Sequence, residues 1–205
     1  MEDALLIDAG TGNLHSVYNA LASLGYKITV TSDPVDLAHG GRLILPGVGA
    51  FGKFMEGLNI RNLCEPVKSA VSHGDPVLGI CVGMQALFEY SEEMGKFSGL
   101  GILPGKVARF PDRHDLKVPQ TGWNQLWPCS ASPLLNEIKP GSYAYFNHSY
   151  YCEPASNNYV AALTDYGFWF ASVLQYQALF AVQFHPEKSQ RIGRQILKNF
   201  MELKA

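Results

Sequence analysis

The stretch Val77-Leu78-Gly79-Ile80-Cys81-Val82-Gly83-Met84-Gln85 decides the architecture. Val77–Ile80 is a short apolar run, the pattern of a strand buried on both faces, and parallel sheets supply that environment. Val82–Glu92 reads as a helix. Between them, Gly79-Ile80-Cys81-Val82-Gly83 forms a Gly-x-nucleophile-x-Gly elbow with cysteine in the serine position. A sharp turn lifts the side chain out of the sheet and crowds its flanks, so glycines are needed there. The helix N-terminus beneath the sulfur favours thiolate. That help matters, because a thiol with a pKa near ~8.5 is only a few per cent ionised at neutral pH. The backbone N–H of Val82 points where a tetrahedral oxyanion would form. The same residues also fit a packed cysteine between two helix-boundary glycines.

Upstream of the elbow, strands alternate with helices. Ala4–Asp8, Lys27–Thr31 and Arg42–Leu45 read as strands. Leu14–Leu24 reads as a helix from its spacing at Leu14, Val17, Leu21 and Leu24, with Asn13 as N-cap and Gly25 as stop. Phe54–Leu58 and Leu63–Ser72 also look helical. Downstream, Lys106–Phe110, Val118–Leu126, Ser142–Phe146, Tyr159–Asp165 and Phe168–Gln175 are rich in aromatic and β-branched residues and are separated by turn residues, which suggests antiparallel strands. Leu179–Phe184 reads as a last central strand and Ile192–Leu203 as a closing helix. The expected fold is α/β: a mixed, largely parallel central sheet flanked by helices, with an antiparallel β-rich insertion in the second half. A length of 205 residues with 47% hydrophobic content favours a single domain over 1–205.

Composition excludes several function classes. Net charge is −2, from 16 basic and 18 acidic residues, and no basic run offers a footprint for nucleic acid. No apolar stretch reaches the roughly 18–20 residues of a membrane span. Met1-Glu2-Asp3 is acidic and leads straight into a strand, unlike a signal peptide, so a cytoplasmic chain is expected. In that compartment Cys64, Cys81, Cys129 and Cys152 stay reduced. None forms a Cys-x-x-Cys pair, so no metal site and no cofactor are expected.

A cysteine nucleophile needs a histidine base. His15, His39, His73 and His114 sit in polar or helical surroundings, and His148 lies at a strand end in Phe146-Asn147-His148-Ser149-Tyr150. His185 directly follows the strand Leu179–Phe184, and strand carboxyl ends are where active sites collect in open α/β sheets. Glu187 lies two residues on, and in extended chain residues two apart point the same way. Glu187 can therefore hold the ring nitrogen that faces away from sulfur, cap the following helix, or do both. Pro46-Gly47-Val48-Gly49-Ala50-Phe51 follows the third strand as a loop that brings backbone close to a ligand, or as an ordinary strand-to-helix turn. No Gly-Lys-Ser/Thr follows, so a phosphate cradle is disfavoured.

Together, Pro46–Phe51, Gly79-Ile80-Cys81-Val82-Gly83-Met84-Gln85 and Phe184-His185-Pro186-Glu187-Lys188 resemble the class I, triad-type glutamine amidotransferases. Asp8–Leu14, Gly99–Gly105 and Gly122-Trp123-Asn124 resemble, more narrowly, the glutaminase subunits of imidazole glycerol phosphate synthases. The resemblance spans essentially the whole chain. It implies that Cys81 attacks the glutamine amide, that His185 and Glu187 complete the triad, and that Val48 and Val82 hold the oxyanion. It implies that Gly49, Gln85, Glu93, His148, Ser149 and Tyr150 bind the substrate. Read from the residues alone, Gln85 also fits a solvated helix position and Glu93 a surface charge.

The resemblance further implies a (β/α)8-barrel cyclase partner that receives the ammonia in a heterodimer, met through Asn13, Trp123 and Asn124. By itself Trp123 also fits a core aromatic. Two departures stand in segments assigned to that interface: Ala9, where the family usually shows tyrosine, and Gln120-Thr121, where His-Met is commoner. The rival readings are a glutaminase feeding another synthase, a non-catalytic partner-binding subunit, and a cysteine hydrolase acting on esters or peptides.

Overall fold

The computed structural model describes residues 3–203; Met1 and Glu2 of the N-terminal reading lie outside them. The first half runs β1 (Ala4–Ile7), α1 (Leu14–Ala22), β2 (Ile28–Thr31), α2 (Pro34–Leu37), β3 (Leu43–Gly47), α3 (Phe51–Ile60), α4 (Cys64–His73), β4 (Val77–Cys81) and α5 (Val82–Gln85). The second half carries β5 (Phe88–Ser91), β6 (Phe97–Ser98), β7 (Leu103–Arg109), β8 (Gln120–Pro128), β9 (Ser142–His148), β10 (Tyr150–Pro154), β11 (Val160–Asp165), β12 (Trp169–Tyr176), β13 (Leu179–Val182) and α6 (Gln190–Met201).

Nine strands form one sheet in the order β2-β1-β3-β4-β13-β12-β11-β8-β9. From β2 to β13 the neighbours are parallel, and from β13 to β9 they are antiparallel. The expected mixed α/β sheet is therefore present. Its antiparallel part is an extension of the central sheet rather than an insertion standing apart. A second sheet, β10-β7-β5-β6, is antiparallel except for the β5–β7 pair. Every residue of β3 and β4 is buried, which is why these strands are uniformly apolar instead of alternating. α1 packs on α6 and α2 on α4, closing the apolar faces.

The helix expected over Val82–Glu92 is wrong. It lasts one turn and gives way to β5. The Ala86 and Leu87 carbonyls, which a longer helix would use internally, accept N–H groups from Leu100, Ile102 and Leu103 instead. Pro76–Phe88 is buried throughout, so no exposed stripe distinguishes helix from strand there. The Phe54–Leu58 helix is longer than expected, running from Phe51 to Ile60.

Cys81 is the hinge of the elbow, at φ 55° and ψ −109°, a conformation that L-residues hold only when their surroundings enforce it. The enforcement is packing: a Cβ on Gly83 would lie 1.8 Å from the Leu45 carbonyl oxygen of β3. Gly83→Ala should cost about 3 kcal/mol and lower Tm by roughly 10 °C. Gly49→Ala, where the new methyl meets open space but φ is +87°, should cost only about 1 kcal/mol. Calorimetric unfolding of the two variants checks this, and equal shifts would contradict it.

Candidate active site

The parallel register assembles the site. Gly47 pairs with Cys81 across β3 and β4, and Ile80 with Val182 across β4 and β13. Val48 and Gly49 therefore leave the sheet beside the nucleophile on one side, and His185 on the other. One cleft of about 470 Å³ holds Cys81, His185, Val48, Gly49, Val82, Gln85, Glu93, His148, Ser149, Tyr150 and Asn13. The sequence-derived catalytic, oxyanion and substrate positions thus converge, apart from Glu187, which stands behind His185. Trp123 and Asn124 do not line the cleft.

His185 and Glu187 are buried, and the ring Nδ1 lies 3.0 Å from Glu187 Oε1. Burial pulls the imidazole pKa down, but hydrogen bonds to Cys81 and Glu187 and their negative charge outweigh it and raise it to about 10. His185 is therefore an imidazolium at neutral pH, placed against the Cys81 sulfur. α5 is only one turn long, so it offers the Cys81 sulfur little helix dipole. Ser189 seats the base: its Oγ donates to the His185 carbonyl at 2.6 Å and accepts from the Tyr145 N–H at 2.9 Å. The His185 N–H donates to the Tyr145 carbonyl at 2.9 Å. Sequence reasoning missed Ser189, although its hydroxyl two residues past Glu187 was a visible signal.

Gln85 is buried, not solvated; its Nε2 donates to the Tyr150 carbonyl at 3.0 Å and to Gln183 Oε1 at 3.2 Å. Glu93 is not a free surface charge: one oxygen accepts the Phe51 N–H at 2.6 Å, tying the start of α3 to the cleft. His148 donates from Nδ1 to the Tyr150 carbonyl at 2.8 Å. Burial depresses its pKa to about 4, against the raising effect of that bond, so it stays neutral beside the imidazolium. Asn13 occupies the α1 N-cap, but its side chain makes no capping bond.

Trp123 is 46% exposed on the outer face of β8, which excludes the core reading, and its ring meets the Tyr145 ring edge-on at 6.0 Å. Asn124 spends its amide within the chain, donating to the Asp165 carbonyl at 2.8 Å. The two departures turn inward: Ala9 is buried, and so is Gln120, which pairs with His148 across β8 and β9. Only Thr121 faces outward, donating to Asn147 Oδ1 at 3.1 Å. No cluster suited to a metal ion occurs among the described residues.

A buried thiol, an imidazolium and an orienting carboxylate in a polar cleft define a cysteine-dependent amide or ester hydrolase. Residues 5–203 match the family model described as glutamine amidotransferase class-I. The chain is 47% identical over 198 residues to the imidazole glycerol phosphate synthase subunit HisH of Dehalococcoides mccartyi, covering 97% of this chain and 96% of that one. It is 48% identical to HisH of Acinetobacter baylyi, covering 96% of both, and 42% identical to HisH of Geobacter metallireducens over the full length of both. A solved glutamine amidotransferase superposes with a TM-score of 0.75 at 19% identity, covering 97% of both chains, a likeness of fold. The chain belongs to the HisH family of class I glutamine amidotransferases.

Glu187→Gln removes the charge that helps hold His185 protonated. The imidazolium is present below its pKa and lost as pH rises through it, so a lower pKa brings the alkaline fall in activity to lower pH. The pH profile of glutamine kcat/KM should show that limb moving down by at least one unit, with the neutral rate down about 100-fold. An unmoved limb would contradict the pairing.

Proposed function

We propose that this glutaminase works through a Cys81 thioester and delivers its ammonia to a (β/α)8-barrel cyclase. The observation that carries the reading is the Cys81–His185–Glu187 array at the floor of a cleft walled by Gln85 and Glu93. Cys81 Sγ attacks the side-chain carbonyl carbon of glutamine, and the C=O electron pair moves to oxygen, where the N–H groups of Val48 and Val82 receive it. The His185 imidazolium gives its proton to the amide nitrogen, the C–N bond breaks, and ammonia leaves. Water then attacks the thioester as His185 takes its proton. The tetrahedral adduct expels the thiolate, and glutamate departs. The unpaired Glu93 oxygen suits the substrate ammonium, and the Gln85 carbonyl its amide.

As a HisH-family subunit the chain works with a partner subunit. We assign that partner as the cyclase, which joins the ammonia to a phosphoribulosyl nucleotide and makes imidazole glycerol phosphate and an aminoimidazole nucleotide for histidine and purine synthesis. The outer face of β8, β9 and β12 supports a docking role: Trp123, Trp127, Tyr143 and Trp169 are all exposed there, a composition typical of interface anchors. The four free cysteines suit a cytoplasmic site of action.

Cys81→Ala should abolish glutamine-dependent synthesis while ammonium salts still drive the cyclase, and assays with either nitrogen source check it; loss of both activities would sink the assignment. Trp123→Ala should weaken cyclase binding by roughly 30-fold, as loss of an aromatic anchor does, without changing Tm. Titration calorimetry of the two subunits reads the affinity.

A further inference from the structure

Gln183 is wholly buried and has no role in the reaction as described so far. Its backbone N–H donates to the Ser172 carbonyl of β12 at 3.0 Å. Since Ile80 pairs with Val182 in the parallel register, the next positions along are Cys81 and Gln183. The Gln183 Nε2 donates to Cys81 Sγ at 3.8 Å, and its Oε1 accepts from Gln85 Nε2 at 3.2 Å. Both amide hydrogens of Gln85 are then committed, the second to the Tyr150 carbonyl, which also takes the Nδ1–H of His148.

These bonds allow one orientation. Rotating the Gln183 amide by half a turn would set its carbonyl lone pairs against an anionic sulfur and its N–H groups against those of Gln85. Two buried contacts would turn repulsive. The chain of bonds therefore runs with fixed polarity from the Tyr150 carbonyl to the sulfur.

We propose that Gln183 is a catalytic residue of this glutaminase: its amide N–H is a second donor to the Cys81 thiolate beside His185, and its carbonyl holds Gln85 so that Gln85 offers its own carbonyl oxygen to the substrate amide. The proposal rests on the thioester reading above. Amide donation to sulfur keeps the nucleophile ionised without adding a second positive charge to the pocket. When the sulfur bonds to carbon and loses its charge, the bond to Gln183 weakens, and it re-forms when the thioester is hydrolysed. The signal available in the sequence was position alone: Gln183 stands two residues before His185, just past the end of β13.

The test is the pH dependence of Cys81 alkylation by iodoacetamide in the full chain, followed by mass spectrometry of the Cys81 peptide. The other titratable groups around Cys81 are the His185–Glu187 pair, Glu93, Tyr150 and Lys188 of the same cleft, His148 of β9, kept neutral by burial, and Cys152 of β10, whose thiol burial pushes well up. They are unchanged in the variants. Gln183→Met, which removes donor and acceptor, should slow alkylation at pH 7 about tenfold, with wild-type rates returning at strongly alkaline pH. Gln183→Glu keeps the acceptor for Gln85 and places an anionic oxygen at the sulfur. It should slow alkylation at least as much, and lower kcat with less change in KM than Gln183→Met. A wild-type alkylation profile in either folded variant overturns the proposal. His185→Asn, measured alongside, separates the two readings: if it alters the profile and the Gln183 variants do not, Gln183 alone fails. If none of them alters it, the thiolate reading fails as well.

Discussion

The in-register parallel pairing of β3, β4 and β13 is the constraint on which the rest depends. It places Gly47 beside Cys81 and ends β13 at Val182, three residues before His185. Val48, Cys81 and His185 each stand at the end of one of these strands or a few residues past it. The three strands can lie this close because they are uniformly apolar and every one of their residues is buried. A slip of one residue between β4 and β13 would swap His185 for Phe184 at the sulfur, so the hydrophobic register and the catalytic geometry are the same constraint.

The antiparallel half of the sheet is not only a platform. Tyr145 lies in β9 directly opposite Trp123 of β8, and its backbone fastens both His185 and Ser189. The outer face and the catalytic base thus share one residue: its ring touches the exposed tryptophan and its peptide groups hold the imidazole-bearing turn. Lys188 lies over the same ring, 5.8 Å from its centre, and lines the cleft mouth. The buried imidazolium of His185 is matched by the Glu187 carboxylate, while His148 nearby stays neutral. Two cations side by side at this depth would cost far more than the pocket could offset.

Much of this was legible in the sequence, for identifiable reasons. β1, β3, β4 and β13 were readable because each is a compact apolar run bounded by turn residues. Cys81 and His185 were readable because each stands at or just past the end of a buried strand; Glu187 was expected from alternation in extended chain, but it reaches the imidazole from a 3-10 turn over Pro186–Lys188. The Val82–Glu92 helix misled because continuous burial erases the helical period and because what ends it is a distant segment, Gly99–Leu103. β6 was missed because it has only two residues, β5 because it falls inside the misread helix, and β10 because its partner β7 lies far away in sequence. Asn124 drew attention through its motif, yet its amide serves the Asp165 carbonyl. Gln183 went unread because its amide meets the sulfur only through the pairing of β4 with β13, which brings together residues about a hundred apart in sequence.

Gly83 has a consequence for reading kindred sequences. It is required by the approach of the Leu45 carbonyl, not by glutamine. A descendant that abandoned its chemistry and kept only its shape would still need that glycine, and so would still carry most of the elbow. Motif similarity at this turn therefore certifies ancestry and folding, and says little about whether a given copy is alive. The living copies are told apart at the sulfur and imidazole positions, which packing alone does not conserve.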